Sequence, residues 1–128
     1  MTDAISGATT QALVLALDAS SLRHQAIANN IANANTPGYI PLRVNFEEQL
    51  GAFRQAAAGS DSDARDSLRG VHGFIEQDVV SSGAGAANVM LDMEVVKLNQ
   101  NVVHYETLLR GLNKQMSIIS MAINEGKR

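Results

Sequence analysis

Residues Ala28 to Tyr39 read ANNIANANTPGY, a helix tail with asparagine at 29, 30, 33 and 35 that stops at a Pro-Gly-aromatic turn. Asparagine is a poor helix former because its amide competes for backbone hydrogen bonds, so Asn29, Asn30 and Asn33 destabilise a helix unless they find partners. Asn29 and Asn33 stand four residues apart and Asn30 and Asn33 three apart, which sets them on one stripe. An amide donates and accepts, so the stripe suits hydrogen bonds to a neighbouring chain. Pro37 holds Thr36 extended, Gly38 permits a positive φ, and Tyr39 and Ile40 restart an apolar run. On the segment alone two readings stand: a frayed helix end with a solvated cap, or a polar interface.

Upstream, the pattern predicts a helix from about Thr10 to Asn35, with Thr9 or Thr10 as cap and Pro37 enforcing the stop. It carries two apolar seams. Ala12, Leu15, Ala19, Leu22 and Ala26 form one and continue into Asn29 and Asn33; Leu13, Leu17, Ile27 and Ile31 form the other, interrupted by Ser20 and His24. A helix apolar on two sides needs neighbours on two sides. The C-terminal helix is one expected neighbour, antiparallel or staggered, and another subunit is the expected second.

The C-terminal segment gives the longest periodic signal, with Leu91, Val95, Leu98, Val102, Tyr105, Leu109, Leu112, Met116, Ile119 and Ile123 alternating spacings of four and three. That is a heptad seam, which favours a left-handed coiled coil over an ordinary core helix. Asn88 is placed to cap it, Asp92 and Glu94 put negative charge at its start, and Gly126, Lys127 and Arg128 supply a stop and positive charge. From Asn88 to Asn124 it would span roughly 55 Å. Gly111 lies off the seam, where a neighbouring backbone could approach closely.

Between the helices, Phe46, Leu50, Phe53 and Ala57 suggest a short amphipathic helix ended by Gly59. GSDSDARDSLRG and SSGAGAAN read as linkers, and Val71 to Val80 admits a short strand or hairpin. The expected fold is mainly α, with long terminal helices forming a coiled-coil pair around an irregular region that admits a short helix or β-hairpin. The expected segments are 1–40 for the N-terminal helix and TPGY turn, 41–87 for a variable loop region and 88–128 for the heptad helix, the two terminal segments making one assembly domain.

Composition narrows the function classes. The 128 residues include 4% aromatics and no Trp, so burial must come from Ala, Val, Leu, Ile and Met. The net charge is -3 with dispersed Lys and Arg, which offers no basic face to nucleic acid or an anionic membrane and favours protein partners. There is no Cys, hence no disulfide, thiolate nucleophile or Cys-ligated zinc. The apolar run from Ala12 to Leu17 is too short for a secretion-signal core or a membrane span, so no cleaved signal and no membrane insertion are expected.

No constellation of residues carries chemistry. His24, His72 and His104 fit no metal pattern. The Asp61, Asp63, Asp66 cluster has Arg65 where a calcium loop needs an oxygen ligand and Asp66 where it needs glycine. Gly83 and Gly85 open a dinucleotide-like turn, but Asn88 stands at its third glycine position. Glu47 and Glu48 show no partner that would tune them for acid-base work. No catalytic, cofactor-binding or metal site is expected, and an enzyme is disfavoured.

With ANNIANANTPGY near the end of an N-terminal helix and a heptad helix at the other terminus, the sequence resembles the bacterial flagellar basal-body rod protein family, whose rod and hook proteins carry ANNIANxxTPGY at this place. The short length, the downstream Val44, Asn45, Phe46 and Glu47, and the C-terminal NVMLDMEVVKLNQN and HYETLLRGLNKQM look most like its proximal-rod members. Asn35 and Met90 stand where the family often has Asp, which removes an anionic cap at each place.

The resemblance implies a structural subunit of the periplasmic rod that transmits torque and surrounds the export channel. It implies export by the flagellar type III system without a cleaved signal, and neighbours among copies of itself, the rod proteins FlgC and FlgF, the adaptor FliE and MS-ring or export-gate components. The expected assembly residues are Asn29, Asn30, Asn33, Asn35, Thr36, Pro37, Gly38 and Tyr39, with Leu91, Val95, Leu98, Val102, Tyr105, Leu109, Leu112, Met116 and Ile119 on the heptad helix. Pro37 to Tyr39 is expected to turn the chain outward. The rival reading is a soluble helical adaptor or export-chaperone-like module, which would also be small, acidic and heptad-bearing.

Overall fold

A computed structural model describes residues 2–56, 70–71, 74–78 and 91–127. In chain order these form α1 (Thr2–Ala32), β1 (Leu42–Asn45), α2 (Glu47–Ala56), β2 (Phe74–Gln77) and α3 (Leu91–Gly126). The expected linkers at 59–69 and 81–88 lie outside the described residues, as do Ala57, His72, Met90 and the expected cap Asn88.

The molecule is mainly α, its long first and last helices packed together with a small strand pair beside them. α1 begins at Thr2, well before the expected cap at Thr9 or Thr10. No proline precedes Thr10, and Gly7 costs about 1 kcal/mol without ending a helix. α1 also stops at Ala32, short of Asn35, because the asparagines wind into turns described below. The predicted amphipathic helix is α2, with Glu47 and Glu48 in its first turn, where carboxylates favour the helix dipole.

The strand expected within 71–80 is β2, and its partner is distant. It pairs antiparallel with β1 in the register Leu42↔Gln77, Arg43↔Glu76, Val44↔Ile75 and Asn45↔Phe74. The Asp78 N–H extends the ladder to the Pro41 carbonyl at 2.8 Å. The chain after Gly38 therefore turns back along α1, contrary to the outward exit expected from Pro37 to Tyr39.

That return supplies α1 with its second neighbour. Ala19, Phe46 and Val71 form a buried cluster, with Leu15, Ala16, Val44 and Leu50 packed against it. Ala19 and Ala26 are almost fully enclosed, because a methyl is all that the close approach leaves room for. The first apolar seam of α1 is thus covered by the chain's own middle, where another subunit was expected. The second seam faces α3: Ser20 bonds to Asn101, and Leu13 Cδ2 lies 3.7 Å from where a Cβ on Gly111 would stand. Pairs 13 with 111, 20 with 101 and 30 with 94 run in opposite directions along the two helices, so α1 and α3 are antiparallel. Gly111 is therefore at an intrachain contact.

Candidate assembly site

The asparagine-rich tail closes on itself before it meets anything else. The Asn33 side chain donates from Nδ2 to the Asn29 carbonyl at 2.9 Å, and its Oδ1 accepts from the Thr36 hydroxyl at 3.3 Å. The Thr36 N–H reaches the Asn33 carbonyl at 2.9 Å, so carbonyls left over at the end of α1 are satisfied locally. The Tyr39 N–H then bonds the Thr36 carbonyl at 3.3 Å, with Pro37 and Gly38 between them and Gly38 at φ 74°. Proline second and a positive-φ glycine third define a type II turn. The turn reverses the chain and aims the Tyr39 hydroxyl at Asn30.

Asn30 is the centre of the site and, among the described residues, one of the two largest fully buried side chains, Ser20 being the other. Its Nδ2 donates to the Leu42 carbonyl at 2.9 Å and to Glu94 Oε2 at 3.1 Å. Its Oδ1 accepts from the Leu42 N–H at 2.7 Å and from the Tyr39 hydroxyl at 3.0 Å. All four hydrogen-bonding valences of the amide are filled. Against Leu42 the amide acts as a strand would, covering the edge of β1 that faces away from β2. Asn30 thus joins α1, the turn, β1 and α3 within one chain, and departs from the expectation of an intersubunit contact.

Glu94 is buried with a carboxylate, which is costly unless it is paired. Lys97 Nζ meets its Oε1 at 2.8 Å while Asn30 holds the other oxygen. Burial pushes the Tyr39 hydroxyl above its ordinary pKa of 10.0, and the Glu94 charge raises it further. A second buried polar layer lies along the same pair: Ser20 Oγ donates to Asn101 Oδ1 at 3.0 Å, and Asn101 Nδ2 donates to the Ser20 carbonyl at 2.9 Å. Two such layers fix the register of α1 on α3, because sliding either helix strands buried polar groups. At the surface, Arg23 pairs with Glu47, and Arg43 pairs with Glu76 at 2.6 Å.

The heptad helix is only partly used by this packing. Glu94 and Asn101 are buried, and Leu98, Leu108, Leu112, Gln115 and Ile119 are half-buried along the side bonded to α1. Leu98, Leu112 and Ile119 belong to the predicted seam; Glu94, Asn101, Leu108 and Gln115 form the row beside it. The other half of the seam stays uncovered, with Val95, Val102, Leu109, Met116 and Ile123 between 40% and 56% exposed. Leu91 and Tyr105 flank it, also exposed. Asn29, Asn35, Thr36, Pro37 and Gly38 are exposed, while Asn33 and Tyr39 are half-buried.

Among the described residues, two grooves border α3. One, of about 560 Å³, lies on the strand side among Arg23, Ile27, Val44, Glu47, Lys97 and His104. The other, of about 440 Å³, lies on the stripe side among Ser20, Ser21, His24, Val102, Tyr105 and Leu109. Among the described residues no group of three or more His, Asp or Glu could hold a metal ion, and no helix is long and apolar enough to cross a membrane. The arrangement leaves an apolar stripe exposed beside a polar, register-locked helix pair.

The sequence pattern that defines the family described as "Flagella basal body rod protein" matches residues 11–39, from within α1 through the turn. Likeness to whole proteins extends beyond it. The flagellar basal body rod protein FlgB of Borrelia hermsii is 31% identical, over 84% of this chain and 79% of the relative. The chain belongs to the FlgB family of flagellar basal-body rod proteins. The FlgB of Bacillus subtilis is 26% identical over 93% of this chain and 95% of its own, and that of Cereibacter sphaeroides 29% over 91% of each. No solved structure matches the chain. FlgB membership makes it a structural protein of the flagellar rod, and the motif shared with the family is the segment that here builds the Asn30 hub.

Several site residues were not foreseen: Ser20, Glu94, Lys97, Asn101 and the Leu42 backbone. A signal existed for some of them. Ser20 interrupts an apolar seam, and Glu94, Asn101 and Gln115 recur at heptad spacing beside one, which is how paired polar layers read in sequence.

Proposed function

We propose that this chain is a proximal-rod subunit, built into the periplasmic shaft by helix packing against copies of itself and against other rod proteins. The uncovered stripe of Val95, Val102, Leu109, Met116 and Ile123 carries the reading, since an apolar row of that length on an otherwise paired helix calls for a further helix. Asn29, Asn33, Asn35 and Thr36 to Gly38 form a polar rim for the same contacts. Asn30 and Tyr39 act indirectly, by holding that rim in place.

In this reading the shaft transmits torque and encloses the export channel, and motility depends on it. FlgC, FlgF, FliE and MS-ring or export-gate components are its neighbours, and the chain reaches the periplasm through the flagellar type III system. The test replaces both Val102 and Leu109 with Glu. The purified variant is expected to keep its helical signal, while cells carrying it lack rods and do not swim. A strain that swims with complete hooks would refute the proposal.

A further inference from the structure

The chain has five methionines and no cysteine, so thioethers are all the sulfur it offers an oxidant. Among the described residues are Met93, Met116 and Met121, which all stand on α3 and are 52% to 56% exposed. Similar exposure hides different positions. Met116 follows Leu109 by seven residues and precedes Ile123 by seven, in the row of the uncovered stripe. Met93 and Met121 each stand two residues before a stripe member, about 200° round the helix, on the far side of α3. We propose that Met116 is an oxidation site within the assembly surface: as the thioether it lets the stripe close, and as the sulfoxide it keeps the chain out of the shaft. This rests on the stripe being an interface.

The chemistry requires a two-electron oxidant such as hypochlorous acid. The Met116 sulfur gives up two electrons and gains an oxygen, chlorine takes the two electrons, and chloride and one proton leave. The thioether, apolar and flexible, becomes a polar sulfoxide whose oxygen accepts hydrogen bonds. Around it Leu109 and Ile123 continue the row and the half-buried Leu112 and Ile119 line its inner side, all without a side-chain donor. Asn113 and Ser120 border it on the outer side, exposed. A helix laid over the stripe would take the sulfoxide oxygen from water into this largely hydrocarbon seam, at a cost the thioether does not incur. At Met93 or Met121 the same oxygen stays outside the seam. Oxidation needs only an accessible sulfur, so it acts before packing whatever the fold of the free chain. Packing then shields Met116, and methionine sulfoxide reductases reverse the block.

Mass spectrometry of the native chain tests this. In cells lacking methionine sulfoxide reductases, the chain is made before rod assembly is switched on, a pulse of hypochlorous acid is given, and basal bodies are isolated once new rods have formed. Met116 sulfoxide is expected in the unincorporated chain and all but absent from basal bodies, while sulfoxide at Met93 and Met121 is found in both. Glutamine, polar and of similar length, stands in for the oxidised side chain: Met116→Gln is expected to stop swimming, and Met93→Gln and Met121→Gln to leave it unchanged. Met116 sulfoxide inside rods at the level of the free pool, equal exclusion of Met121 sulfoxide, or a Met116→Gln strain with complete hooks overturns the inference. The rod reading fails separately: replacing Val102 and Leu109 with Glu without loss of swimming removes the interface, whereas Met116 sulfoxide entering rods that do need those two residues removes the oxidation site alone.

Discussion

Asn30 shows how one side chain can organise a fold whose apolar core is small. Its amide fills four hydrogen bonds drawn from three other elements, in a molecule whose fully buried apolar residues include two alanines. Asn30→Ala would leave the Leu42 N–H and carbonyl, the Tyr39 hydroxyl and a Glu94 oxygen without their partner. A loss of roughly 3 kcal/mol in unfolding free energy is expected by urea denaturation. Tyr39 adds a pH dependence. Its folded-state pKa is raised, so above pH 10.0 the unfolded chain gives up the phenolic proton first. The stability it contributes is whole below pH 10.0 and falls as pH rises through the folded value. Tyr39→Phe should be slightly less stable at pH 8 and lose less stability than the parent between pH 9 and pH 11, as urea midpoints would show. The asparagine stripe was legible as unusual, but which asparagine points inward was not: Asn29, Asn30 and Asn33 have the same chemistry, and only the path of the chain after the turn separates them.

At the scale of elements, the two long helices and α2 were readable because periodicity reports amphipathic faces directly. β1 was not, since Leu42 to Asn45 is four residues long and its pairing partner lies beyond α2. The α1–α3 contact was readable as a pair and misread in its row. Heptad spacing offers two adjacent rows to a neighbour, and the polar layers at Ser20–Asn101 and Asn30–Glu94 choose the row carrying Glu94 and Asn101. Gly111 gives a test of this contact. A Cβ there would meet Leu13 Cδ2 at 3.7 Å, an ordinary packing distance, so Gly111→Ala should raise stability by about 1 kcal/mol through helix propensity alone, visible as a higher melting temperature. A destabilised variant would mean that α1 and α3 approach more closely than described.

For the whole molecule, the middle segment proves to be structural cover for α1. Phe46 closes on Ala19 and Val71, so Phe46→Ala should cost about 3 kcal/mol. Amide hydrogen exchange should then quicken first in β1 and α2, with α3 protected longest near Asn101. Uniform loss of protection would show that the cover and the helix pair unfold as one unit. The sequence by itself determined the helices, the turn at Pro37 and Gly38 and the likeness to flagellar rod proteins, because each of these depends on local propensity, period or a short motif. Only the tertiary structure decided that the chain folds back over α1, that Asn30 is an internal hub and that half of the heptad seam stays open. Those outcomes depend on which distant groups meet, and hydrogen bonds between residues 12 to 81 positions apart leave no mark on local pattern.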